Sequence, residues 1–117
     1  MYNLNTERIP DYIKTTSIKK LSELRDNFDV IFFLSAYIPG KQEVDIFRLF
    51  ETNVELLDRI VKQFSSARIL HASSVSVYGI PCSIITENSA SMEVSEYGLS
   101  KLWAEHLLRK HPSHAVI

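Results

Sequence analysis

The chain is short of cysteine, glycine and proline: one, three and four of them in 117 residues. A single thiol, Cys82, closes no internal disulfide, and no Cys-x-x-Cys or clustered His/Cys spacing offers a zinc site. That cysteine usage points to a reducing, cytoplasmic setting. The glycines, Gly40, Gly79 and Gly98, are too scattered to form a Gly-x-x-Gly-x-x-Gly turn of the kind that cradles a pyrophosphate. An excess of one charge is missing as well. Thirteen Lys and Arg against fourteen Asp and Glu give a formal net charge of -1. No basic stripe is available to neutralise a phosphate backbone, so nucleic acid is not an expected partner. The longest apolar run, Val30 to Leu34, is far too short to span a bilayer. Met1 to Asp11 mixes charges of both signs and does not read as a signal peptide.

Apolar residues make up 45% of the chain, enough for a real core in one domain spanning 1–117. Met1 to Pro10 has no clear period, and Tyr12 to Thr15 reads as a short strand. Ser17 to Asn27 reads as a helix capped by Ser17, with Ile18, Leu21 and Leu24 at helical spacing. Its charges, Lys19-Lys20 through Arg25-Asp26, read as a solvated face. From Asp29 to Ala36 the apolar residues run without alternation and are rich in β-branched and aromatic types, the pattern of a parallel strand buried on both faces. Val44 to Phe64 is the longest helix and carries two apolar stripes. One runs through Val44, Phe47, Phe50, Val54, Leu57, Val61 and Phe64; the other through Ile46, Leu49, Leu56 and Ile60. Dimer packing or deep burial would each account for the second stripe. Arg68 to Ser74 is a strand, and Val75 to Val94 a loop long enough to suggest function. Ser95 to Lys110 is a helix capped by Ser95, with Leu99, Leu102, Trp103, His106 and Leu107 expected on its buried face. His114 to Ile117 begins a further strand. Strands alternating with helices imply an α/β fold, a partial Rossmann-like, doubly wound parallel sheet.

Tyr97 and Lys101 stand four residues apart, so a helix puts the phenol and the ammonium on one face, one turn apart. An ordinary phenol ionises near pH 10, too high for proton transfer at neutral pH, and an adjacent positive charge favours the phenolate. A phenol so placed takes a proton from an alcohol or returns one to a carbonyl while hydride moves to or from a cofactor. Ser74 lies where open α/β sheets place their ligands, at the C-terminal end of a strand, and its hydroxyl can hold the reacting oxygen. A tyrosine followed four residues later by lysine is common enough that the pair alone is a weak signal.

Further motifs surround it. Ser73-Ser74-Val75-Ser76-Val77-Tyr78-Gly79, then Thr86-Glu87, then Tyr97-Gly98-Leu99-Ser100-Lys101 ending at Glu105, resemble the extended short-chain dehydrogenases/reductases, the NAD(P)-dependent epimerase/dehydratase family. Asp29 to Ala36 and Asn53-Val54 resemble that family's cofactor-side strand and its long helix. The resemblance covers 29–117, leaving 1–28 as an atypical N-terminal segment. It implies that Tyr97 is the acid/base, that Lys101 tunes it and bonds the nicotinamide ribose, and that Ser74 holds the substrate oxygen. Ser35 and Ala36 would border the cofactor, Asn53 would fix the site's backbone, and Ser76 would touch substrate. The implied cofactor is NAD or NADP, NAD favoured, and the implied substrate a nucleotide sugar. A homodimer through helices 44–64 and 95–110 is expected, with no membrane partner.

The chain departs from that family at Phe33, where a histidine is usual, and at Leu56-Leu57, in place of Gly-Thr. The glycine-rich turn is absent, as is the part that completes the substrate site. The chain is therefore expected to be the central fragment of a longer protein and to bind NAD poorly alone. A strand left without its neighbour would expose a bare apolar edge. Cys82 has no base beside it and reads as inert. His71 reads as a hydrogen-bonded core residue, His106, His111 and His114 as surface residues, and Trp103 as core or interface. Two other functions compete: reduction of a non-sugar carbonyl, and a non-catalytic unit that only binds a partner or oligomerises.

Overall fold

A computed structural model describes residues 21, 23–24, 27–40, 43–79 and 84–117. The strand expected at 12–15, most of the helix expected at 17–27, and Cys82 lie outside the described residues.

Three strands form one sheet in the order β1 (Val30–Phe33), β2 (Arg68–His71), β3 (His114–Val116), and both pairings are parallel. Ile31 registers with Ile69 and Phe33 with His71. Between β1 and β2 run α1 (Ile46–Phe50), a π-helical turn (Glu51–Glu55) and α2 (Leu56–Gln63), as one unbroken rod. A 3-10 turn (Val75–Tyr78) and α3 (Glu96–Leu108) connect β2 to β3. Strand order runs in one direction, so right-handed crossovers put both connections on the same face. There Phe33 and Ile69 pack with Leu56, Leu57, Ile60 and Phe64 of the rod and with Ala104 and Leu108 of α3.

The opposite face explains one departure from expectation. β1 is not buried on both faces: Phe32 is 61% exposed, and Val30 and Leu34 are exposed beside it. One direction of winding covers one face, and the second winding that would cover the other is not among the described residues.

The two apolar stripes of the rod have a local cause. In an unbroken α-helix, residues eight apart lie about 80° apart around the axis. Leu49 and Leu57 are eight apart, yet both are fully buried. The wide turn between them takes up extra chain and brings them onto one face. Before the turn the buried position is Leu49, on the second stripe; after it Leu57 and Phe64 of the first stripe are buried beside Leu56 and Ile60 of the second. Phe47, on the first stripe before the turn, is 88% exposed.

α3 begins where the sequence places it, with the Ser95 hydroxyl accepting from the Gly98 amide at 3.2 Å. Its buried face is not the expected one. Gly98, Ser100, Lys101, Ala104 and Leu108 face inward, whereas Leu99 and Trp103 are exposed. A helix that must approach a strand end closely needs small side chains there, and size outweighed hydrophobicity.

Candidate functional site

The polar cluster gathers at the C-terminal end of β2. Past His71 the chain leaves the ladder through Ala72 and Ser73, and Ser74 caps the 3-10 turn, its hydroxyl accepting from the Ser76 amide at 3.2 Å. The Ser74 hydroxyl also donates to the Ser76 hydroxyl at 3.1 Å. Tyr78-Gly79 closes this stretch. Gly79 has φ +70°, and a Cβ there would lie 1.6 Å from the Met92 carbonyl oxygen. Only glycine permits that approach. Gly79 and Met92 form an isolated parallel bridge, so the long loop returns to its starting point before α3 begins.

α3 is seated on the turn by its own glycine. A Cβ on Gly98 would lie 2.2 Å from the Ser76 carbonyl oxygen and 2.6 Å from Val94 Cγ1. This contact sets Tyr97, the preceding residue, beside the turn that carries Ser74 and Ser76.

One helical turn on, Lys101 is 2% exposed, and its Nζ donates to the Ala72 carbonyl at 2.6 Å. Burial holds the ammonium below the ordinary lysine range, and the Glu105 carboxylate opposes that shift. The next turn brings Glu105, which accepts a hydrogen bond from the Ser73 hydroxyl. Tyr97, Lys101 and Glu105 thus descend one face of α3, and the last two clamp the residues just before Ser74. Sequence reasoning gave Ser73 and Glu105 no role; the Glu closing the tyrosine–lysine motif was the available signal.

A second network reaches the end of β1. Asn53, in the π turn, accepts from the Tyr37 amide at 2.7 Å and donates to the Tyr37 carbonyl at 3.1 Å. Its Nδ2 also donates to the Ser100 hydroxyl at 2.9 Å, and that hydroxyl donates to the Tyr97 carbonyl at 2.7 Å. Asn53 and Ser100 are both fully buried. Ser35 and Ala36, half-buried, immediately precede Tyr37.

An open cavity of about 820 Å³, within the size range of ligand sites, adjoins the strand ends. Ser73, Ser74, Tyr78, Glu87 and Glu105 are among its lining residues. Tyr97 and Ser76 do not line it, and no hydrogen bond joins the side chains of Tyr97 and Ser74 among the described residues. A smaller hollow of about 390 Å³ lies along the outer face of α3, between Leu99, Leu102, Trp103, His106 and Arg109.

Two histidines differ from expectation. His71 is fully buried, but neither ring nitrogen has a hydrogen-bond partner among the described residues. Burial, and then the charge of Lys101, lower its pKa to about 4; the Phe33 backbone opposes this without reaching good hydrogen-bond geometry. His111, expected at the surface, is buried, with Nδ1 within hydrogen-bond distance of the Ser113 carbonyl at 2.8 Å and of the Ser113 amide at 3.2 Å. These contacts close the tight turn from α3 into β3. No described helix is long and apolar enough to cross a membrane, and no cluster of His, Cys, Asp and Glu among the described residues could hold a metal.

An open parallel α/β sheet with hydroxyls, a buried ammonium and a cavity at its strand ends defines a class, that of sheets which bind ligands at this edge. A model of the NAD dependent epimerase/dehydratase family matches residues 3–115, and the chain belongs to that family. Among solved structures it is similar to a UDP-glucuronic acid 4-epimerase from Bacillus cereus in complex with NAD. Identity there is 25%, with 86% of this chain and 34% of that one covered, at a TM-score of 0.67. A short-chain dehydrogenase/reductase superfamily protein from Agrobacterium tumefaciens with bound NAD is 29% identical, covering 75% of this chain and 30% of its own, at 0.68. A UDP-Glc/GlcNAc 4-epimerase from Campylobacter jejuni shares the fold at 24% identity and 0.72, covering 85% and 33%. The chain thus spans about a third of the length of these structures. No curated protein matches it in sequence.

Proposed function

We propose that the chain supplies the Ser-Tyr-Lys part of a sugar-nucleotide epimerase or dehydratase, with Tyr97 as acid/base, Lys101 as its electrostatic partner and Ser74 as donor to the reacting oxygen. The observation that carries this reading is the buried Lys101 ammonium. A charge so desolvated is rarely kept for stability alone, and it stands one turn below Tyr97 at the strand end. NAD-containing epimerases among the similar structures support the substrate class.

The nicotinamide end of an NAD fits the donor set. Lys101 gives one of its three N–H groups to the Ala72 carbonyl and keeps the others for a ribose hydroxyl. Ser35 and Ala36 would border that end of the cofactor. No glycine-rich turn for the pyrophosphate occurs among the described residues, so the 117 residues alone are expected to bind NAD weakly. When bound, the cofactor supplies hydride transfer. Tyr97 moves the proton: its phenolate takes the substrate hydroxyl's proton as the carbonyl forms and returns it in the reverse step. Lys101 stands one helical turn from Tyr97, and Ser74, with Ser76 beside it, orients the oxygen. A homodimer through helices 44–64 and 95–110 belongs to the same reading, supported by exposed Phe47, Leu99 and Trp103.

The test is turnover of UDP-sugars in the protein that carries this chain, compared with Tyr97→Phe. Loss of at least about 100-fold is expected, the scale of a positioned acid/base. Undiminished turnover in Tyr97→Phe would overturn the assignment, and turnover of simple ketones but no sugar nucleotide would replace the substrate class.

A further inference from the structure

The fully buried Ser100 hydroxyl belongs to none of the roles above. It lies in the middle of the tyrosine–lysine motif, yet points away from the cavity and toward the long rod. Its neighbours form a closed set: it donates to the Tyr97 carbonyl, accepts from Asn53 Nδ2, and Asn53 holds both backbone polar groups of Tyr37. One hydroxyl therefore joins α3, the π turn and the segment leaving β1. These segments are distant in sequence: Asn53 and Ser100 are 47 apart and Tyr37 and Asn53 are 16 apart. Every polar atom in the set that the core encloses is satisfied, which makes such a network rigid. A wide helical turn at Asn53 also marks a place where regular helix has been given up, often at functional positions.

The geometry assigns Ser100 as a positioning residue. By linking the Tyr97 carbonyl through Asn53 to the Tyr37 backbone, it fixes the acid/base relative to the Ser35–Ala36 segment. This assignment rests on the enzymatic reading of Tyr97 and adds to it. Alternative roles explain less. A serine kept only for close packing would be served by alanine, which is also the better helix former. A serine that merely bonds to its own helix would need no partner across the core.

The experiment compares Ser100→Ala with the unsubstituted protein by amide hydrogen exchange and by steady-state kinetics. The Tyr37 amide donates to Asn53 and never touches Ser100, so its exchange reports transmission through the network. Exchange at Tyr37 is expected to quicken about threefold to tenfold, the effect of one net hydrogen bond. Turnover is expected to fall by a similar factor with KM nearly unchanged. Lys62→Ala, exposed on the far side of the rod, should leave both readings alone. Should Ser100→Ala fail to fold, Ser100→Cys, which fills the same space with a weak donor, carries the same expectation. Unchanged exchange at Tyr37, or faster exchange with unchanged turnover, would overturn the positioning role and leave the enzymatic reading intact. Full activity in Tyr97→Phe would instead overturn the enzymatic reading, leaving the exchange result standing.

Discussion

Phe33 and His71 are register partners across the β1–β2 ladder, and their rings stack with centroids 5.5 Å apart and planes 29° from parallel. The imidazole is thus held against an aromatic ring, and among the described residues neither of its nitrogens has a hydrogen-bond partner. Burial and Lys101 lower its pKa from the ordinary 6.5 to about 4. The unfolded chain therefore binds the proton more readily between those values. Stability from this site is complete above pH 6.5 and is lost as pH falls toward 4, about 3 kcal/mol in all. Urea unfolding at pH 7 and pH 4.5 should show this loss. His71→Phe should flatten the difference; an equal loss in both proteins would refute it.

Lys101→Met should separate stability from activity. The substitution removes a charge that burial disfavours, while the methionine fills similar space. Because the ammonium's pKa is lowered, the site's contribution to stability improves as pH rises toward the ordinary lysine range, and removing the charge should mimic that gain at neutral pH. The melting temperature is expected to stay level or rise, while turnover falls about 100-fold or more. A marked drop in melting temperature would show that the bond to Ala72 outweighs desolvation.

The two site glycines are predicted to fail for different reasons. Gly98→Ala drives a methyl into the Ser76 carbonyl and Val94, and overpacking of this kind costs about 1–3 kcal/mol. Gly79→Ala adds a left-handed backbone to a closer collision with Met92, and should be the more damaging of the two. Chemical denaturation of both variants gives the order, which a milder Gly79→Ala would reverse.

Ser95→Ala tests the start of α3. Its hydroxyl is the N-terminal cap, and loss of such a cap costs about 1 kcal/mol. Denaturation midpoints measure the change; a Ser95→Asp variant should restore most of it.

Much of this was legible in the residues. Three strands, the cap at Ser95 and the helical pairing of Tyr97 with Lys101 follow from spacing and residue type. The buried face of α3 was not, because pattern reading assigns leucine and tryptophan inward by default. Contact with a strand end is decided by the volume of Gly98, Ser100 and Ala104, which hydropathy does not register. The π turn was invisible for a related reason: two stripes on one helix encode a change of phase, and a fixed period reads them as excess width. The missing partner of His71 could not be foreseen, since composition says nothing of where a neighbour's carbonyl points.

The bulge at Glu51–Glu55 works as a spacer in angle as well as in length. Deleting a single residue there would let the rod relax to regular pitch, and Leu49 and Leu57, then seven apart, would lie about 20° from alignment, so both halves would keep their faces. Leu49 would keep its place in the core, whereas the Asn53 amide, carried on the bulge itself, would lose its aim at Tyr37. The extra residue in this segment therefore serves the placement of Asn53, and its loss would be felt at Tyr37 rather than along the buried line of the rod.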